Sequence, residues 1–193
     1  MKITVYGAAS SLIDKSYIEK GEELGRKMVE HGHGLVFGGG ANGMMGAVAK
    51  GIYEKNGYIL GVVPEFFKEA GSEVSFKNCT EYKYTDTMRE RKREMEENGE
   101  AFIITPGGIG TLDEFFEILT LKQLGRHNKA IVIYNMNGFY DELDNMMTTS
   151  IKEQFITDDC KELYQVFDEA DQVLEYIENY DPEDIDLSKV KIR

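Results

Sequence analysis

The chain has 193 residues, with 22 Lys and Arg against 35 Asp and Glu, giving a formal charge of −13. That length suits one domain with a sizeable core, and 41% hydrophobic with 11% aromatic residues excludes a disordered chain. The acidity argues against DNA, RNA or an anionic membrane as partner, no apolar run approaches the ~18 residues of a membrane span, and two cysteines, Cys79 and Cys160, exclude a disulfide framework and fit a reducing, cytoplasmic location.

The first eleven residues read as a strand and loop, not a leader, because Tyr6, Gly7 and Ser10 break the short apolar stretch. Residues 2–6 are predicted as a strand and 14–30 as an amphipathic helix ending near Gly32. Strand 34–37 runs into Gly38–Gly40, and 44–55 is helical. Strand 58–63 stops at Pro64. Residues 65–84 show no clear period and read as a loop reaching toward a site. Residues 87–98 form a charged helix, 101–105 a strand stopped by Pro106, and 112–124 a helix apolar nearly all round. Strand 130–134, helix 138–153, short strand 165–167 and helix 169–180 follow. From 157 to 186 there are twelve acids against one base, Lys161, which reads as a solvated acidic surface. Short, Val- and Ile-rich strands alternating with helices predict a single α/β domain with an open, doubly wound parallel sheet.

Ligands of such sheets lie beyond the C-terminal strand ends. Two glycine turns follow strands and open helices there, Gly38-Gly39-Gly40-Ala41-Asn42-Gly43 and Pro106-Gly107-Gly108-Ile109-Gly110-Thr111. Glycines let backbone N–H groups approach an anion, and a helix start adds positive partial charge, so phosphate is the natural guest. Each turn also has a plainer reading. The first contains G-x-G-x-x-G, with Glu65 near the spacing of a ribose-binding acid, but it follows the second strand and equally suits tight packing. In the second, Thr111 and Glu114 fit a capping box, the favoured reading of that turn alone. Against it, Glu114 lines up with Ile118 and Leu121 on an apolar helix, where a carboxylate needs a partner.

That partner is expected from the preceding helix. Four of the five residues 89–93 are basic, and Arg91 and Lys92 share a face with Met88 and Met95. Local pairing with Glu94, Glu96 and Glu97 accounts for Arg89 and Arg93, but less well for Arg91 and Lys92. His31, His33 and His127 read as surface histidines, and no spacing suggests a metal site.

Together these motifs resemble the lonely-guy (LOG) family of cytokinin riboside 5′-monophosphate phosphoribohydrolases, often mislabelled lysine decarboxylases. Residues 106–114 match its P-G-G-x-G-T-x-x-E, Met88-Arg89-Glu90-Arg91-Lys92 its M-H-x-R-K with Arg89 for His, and residues 38–46 its G-G-G-x-x-G-L-M-G with Met44 for Leu. The run 120–129 also resembles the family's continuation. The resemblance implies a Rossmann-like domain over 1–180 with a tail at 181–193, no cofactor, and a homodimer with sites near the subunit interface. Carried onto matching positions, it implies Arg91 and Glu114 as the catalytic pair. It implies Glu73, Lys92, Gly107, Gly108, Ile109, Gly110, Thr111 and Thr120 as nucleotide contacts, with Gly40 and Gly43 in a turn that shapes the pocket. The expected reaction is hydrolysis of a purine nucleoside 5′-monophosphate to free base and ribose 5-phosphate. Three rivals are a non-catalytic carrier like those of the molybdenum cofactor, an NAD(P)-linked enzyme, and a decarboxylase holding pyridoxal phosphate on a lysine, for which no sequence feature picks out a lysine.

Overall fold

The computed structural model describes residues 1–70, 75–187 and 190. Among them, seven parallel strands form one sheet: β1 (Lys2–Tyr6), β2 (Gly34–Phe37), β3 (Ile59–Pro64), β4 (Glu81–Thr85), β5 (Ala101–Ile104), β6 (Ala130–Tyr134) and β7 (Gln165–Phe167). The spatial order is β4-β3-β2-β1-β5-β6-β7, so the winding reverses between β1 and β5, the seam where ligands of such sheets bind.

Helices cover both faces. The helices α1 (Lys15–Glu30), α2 (Gly43–Glu54) and α7 (Ala170–Glu178) bury Leu24, Met28, Val48, Ile52, Val173 and Leu174 on one side. On the other, α4 (Met88–Asn98), α5 (Ile109–Gln123) and α6 (Asp141–Lys152) bury Met95, Phe115, Ile118 and Met147. Central strands β2, β3, β5 and β6 are buried along their whole length, which is why their sequences are unbroken apolar runs. Each large apolar side chain so enclosed contributes about 1.5–3 kcal/mol.

The stretch 65–84 departs from the expected loop. It opens with the short helix α3 (Glu65–Ala70) and closes with edge strand β4, paired with β3 from Leu60–Glu81 to Pro64–Thr85. Only Thr85 of that strand is buried, so its sequence never had to be apolar. Two histidines also depart from the surface reading. His33 is buried, with Nε2 3.0 Å from the Glu178 carboxylate. His127 sits with Nε2 2.9 Å from the Ile118 carbonyl oxygen, and burial lowers its pKa to about 4. Beyond residue 180 the chain returns to the domain: Val190 is buried, and its carbonyl accepts from Gln123 Nε2 at 3.3 Å. Another charge is fully enclosed. The Lys122 ammonium group donates to the Lys129 carbonyl at 3.0 Å and lies 4.7 Å over the Tyr180 ring, and burial lowers its pKa to about 7. Among the described residues no helix is long and apolar enough to cross a membrane.

Candidate active site

The strand ends at the seam open into a cleft of about 360 Å³. Its floor is the small-residue loop Gly7, Ala8, Ala9 and Ser10 that leaves β1. Met45 of α2 and Phe67 of α3 line it, with Arg91 of α4 and Gly108, Gly110, Thr111 and Glu114 of α5.

Helix α5 starts earlier than the capping box requires. Its N-cap is Gly108, so Thr111 is the third helical residue and Glu114 lies one turn further in. The capping-box reading is therefore overturned. No side chain caps this helix and no acid occupies its first turn, whereas α1 is capped by Asp14 and α4 by the reciprocal Thr87–Glu90 box. The first N–H groups of α5 have no intrahelical acceptor, and a Cβ on Gly108 or Gly110 would meet nothing within 4 Å. Bare donors at an open helix start form an anion cradle.

Freed from capping, Glu114 turns to Arg91. Arg91 Nη1 lies 3.3 Å from Glu114 Oε1, with side-chain exposures of only 7% and 11%. The guanidinium is fixed from behind, because its Nε donates to the Val62 carbonyl of β3 at 3.2 Å. It fits because Gly38, at the end of β2, has no side chain: a Cβ there would stand 1.8 Å from Arg91 Nη2. Burial raises the Glu114 pKa from 4.5 to about 7, opposed by Arg91 and more weakly by Lys92, while Asp113 and Glu117 push the same way as burial. Near neutrality this carboxyl is poised between its two forms, as a group that moves protons must be.

Other sequence-predicted residues fall elsewhere. Lys92 turns away from the cleft, its ammonium 3.0 Å from Asp113 and 2.7 Å from Glu117. With exposed Thr120 it lines a neighbouring shallow groove on the outside of α4 and α5. Ile109, 88% exposed, projects from the first turn of α5 into solvent. A Cβ on Gly107 would strike the Thr111 hydroxyl, so that glycine is a packing requirement of the turn. Gly40 is buried and bridges to Ser75. Gly43 has φ +62 and packs on the Ala8 and Ser10 carbonyls, so the first glycine turn holds the floor of the cleft. Glu65, the acid of the dinucleotide reading, is exposed at the start of α3. Glu73 lies outside the described residues.

The Gly7–Ser10 loop, Met45 and Phe67 were not anticipated in the cleft, while Gly38, in the glycine turn expected to shape the pocket, does so by leaving room for Arg91. The loop had a readable signal, since four small residues directly after the first strand sit where the winding reverses. Phe67 had none, because it lies in the stretch read as structureless. The expected burial of α5 all round is also corrected. Its Leu112, Phe116 and Leu121 are only partly buried in one chain, although Phe115, Ile118 and Leu119 are enclosed.

Residues 45–177 match the protein family described as possible lysine decarboxylase. The cytokinin riboside 5′-monophosphate phosphoribohydrolase LOG of Oryza sativa subsp. japonica is 35% identical over 182 residues, 94% of this chain and 74% of that protein. The corresponding enzyme LOG2 of Arabidopsis thaliana is 32% identical over 186 residues, 96% of this chain and 86% of its own length. In fold, the chain resembles the molybdenum cofactor binding protein of Rippkaea orientalis, with a TM-score of 0.69 at 18% identity covering 92% and 94% of the two chains. The molybdenum cofactor carrier protein of Chlamydomonas reinhardtii gives 0.67 at 18% identity, covering 92% and 95%.

Proposed function

The chain belongs to the LOG family, and from that premise we propose that it hydrolyses the N-glycosidic bond of a purine nucleoside 5′-monophosphate, AMP or an N6-substituted AMP, to free base and ribose 5-phosphate. The observation that carries this reading is the buried Arg91–Glu114 pair facing the same cleft as the uncapped start of α5.

The 5′-phosphate sits on the N–H groups of the Gly108–Thr111 turn, which places the sugar beside Glu114. Breaking the bond from C1′ to the base nitrogen leaves positive charge on the sugar ring. The ionised Glu114 stabilises that charge and takes a proton from the water whose oxygen bonds to C1′. The departing base gains a proton in exchange, so water is the only co-reactant. Arg91 holds the carboxylate in place and lies beside the reacting centre. Lys92 and Thr120, outside this cleft, reach a nucleotide only where a second subunit closes over the groove they line. The partly buried apolar residues of α5 and the exposed Ile109 and Leu124 support such a homodimer, and a monomer by light scattering would contradict it.

Binding energy from the phosphate is used to seat the sugar, so AMP should release adenine with a kcat/KM on the order of a hundred-fold or more above that of adenosine. Chromatography of the products reads this directly. Equal rates would remove the anion cradle from the mechanism, and no adenine from any nucleotide would favour the carrier reading. Decarboxylation through pyridoxal phosphate needs a lysine to hold it, and the described lining of the cleft has none.

Gly38→Ala gives a milder test of the pair. The new methyl group meets the tip of Arg91 and the Met45 sulfur, not backbone, so the protein should still fold, with a melting temperature lowered because the buried Arg91–Glu114 pair is disturbed. The displaced guanidinium should lower base release about a hundred-fold. Full activity in a folded Gly38→Ala protein would show that the observed Arg91 position does not matter.

A further inference from the structure

Sheet topology lays the cleft out as a line. The α5 start follows β5, the Arg91 guanidinium packs against Gly38 at the end of β2, and α3 with Phe67 follows β3. Strands β5, β1, β2 and β3 are consecutive neighbours, so the anion cradle and α3 are separated by three strand spacings, about 14 Å. The Arg91–Glu114 pair bridges this distance, since Arg91 holds the Val62 carbonyl of β3 with one nitrogen and Glu114 of α5 with another. A ligand with its phosphate at α5 and its anomeric carbon at Glu114 therefore points its base toward α3.

The cleft lining at that end changes character. Phe67 is half-buried and faces the cleft, and Phe66 meets its ring edge-on at a centroid distance of 4.9 Å, which fixes the ring's orientation. Phe67 is the one aromatic side chain among the described lining residues. An aromatic ring at that end gives a flat π-system a face to stack on.

We infer that Phe67 is the platform on which the base of the nucleotide stacks, making it a specificity-determining residue that favours the larger purine ring system over a pyrimidine. This deepens the phosphoribohydrolase reading and rests on it for the placing of phosphate and sugar.

The test uses the Glu114→Gln protein, in which bound nucleotide should persist, with and without Phe67→Ala, and measures binding of AMP, CMP and ribose 5-phosphate by calorimetry. Loss of the ring should weaken AMP about ten-fold, CMP less, and ribose 5-phosphate not at all. Phe67→Tyr should restore AMP binding, which guards against a fold defect. An equal loss for AMP and ribose 5-phosphate, or no loss for AMP, overturns the platform. Failure of the underlying reading shows separately, as absence of base release from any nucleotide by the unaltered protein.

Discussion

Glu114→Gln is expected to reduce base release from AMP about a thousand-fold while leaving AMP affinity within a few-fold. Glutamine keeps the shape and can still approach Arg91, but it carries no charge to face the sugar and accepts no proton from water. The same change should stabilise the protein at alkaline pH. Below pH 4.5 the carboxyl is protonated both folded and unfolded, and Glu and Gln should be alike. Between 4.5 and about 7 the unfolded chain gives up this proton while the folded one keeps it, so rising pH weakens the folded state relative to the variant. Above about 7 the difference is complete, at about 3 kcal/mol. Thermal melts at pH 5 and pH 8 should therefore diverge, with the variant higher by several degrees at pH 8. A variant that melts no higher than the parent at pH 8 would show that the ionised Glu114 is not strained in the fold, and one that retains most activity would show that it is not central to the reaction.

Arg91→Ala carries the second large effect, and it has a signature besides lost rate. In the unaltered protein kcat/KM should rise with pH through about 7 as Glu114 ionises. Arg91 is the strongest influence holding that carboxyl down against burial. Removing it should lower activity at least a hundred-fold at pH 7 and move the rising limb of the pH profile to higher pH, so the residual rate is partly recovered at pH 9. Arg91→Lys should keep the limb closer to its original position but not the rate, because an ammonium cannot hold Val62 and Glu114 in the forked geometry of a guanidinium. A low rate with an unshifted limb would mean that Arg91 acts on the substrate alone.

The interior strands were legible because they are buried on both faces, which makes period and composition agree. Strand β4 was not, since an edge strand with one buried residue can be built from Glu, Tyr and Lys and leaves almost no trace. The six-residue helix α3 is too short to show a period, and Phe67 was lost with it. At the site, the inward pointing of the basic run was readable from the methionine spacing, but its resolution was not. Adjacent helical residues differ by about 100° in direction, so Arg91 and Lys92 cannot both face one cleft. Met95 is buried and Met88 is 40% exposed, and Arg91, one turn from both, takes the inner side while Lys92 follows the rim. The start of α5 misled for a different reason: a Thr three residues before a Glu has the spacing of a cap, and only backbone geometry shows that a glycine holds that place.

Lys122 has a consequence that reaches beyond packing. A fully enclosed amine with a carbonyl and a ring for company, and a pKa brought to about 7, means that core formation expels a proton into the medium at mildly basic pH. Glu114 does the reverse, drawing a proton in at mildly acidic pH. Between them these two side chains give the folding equilibrium a trough near neutrality, with gains on either side, so the pH at which the cleft is armed for chemistry is also the one at which this pair of groups favours the native state least.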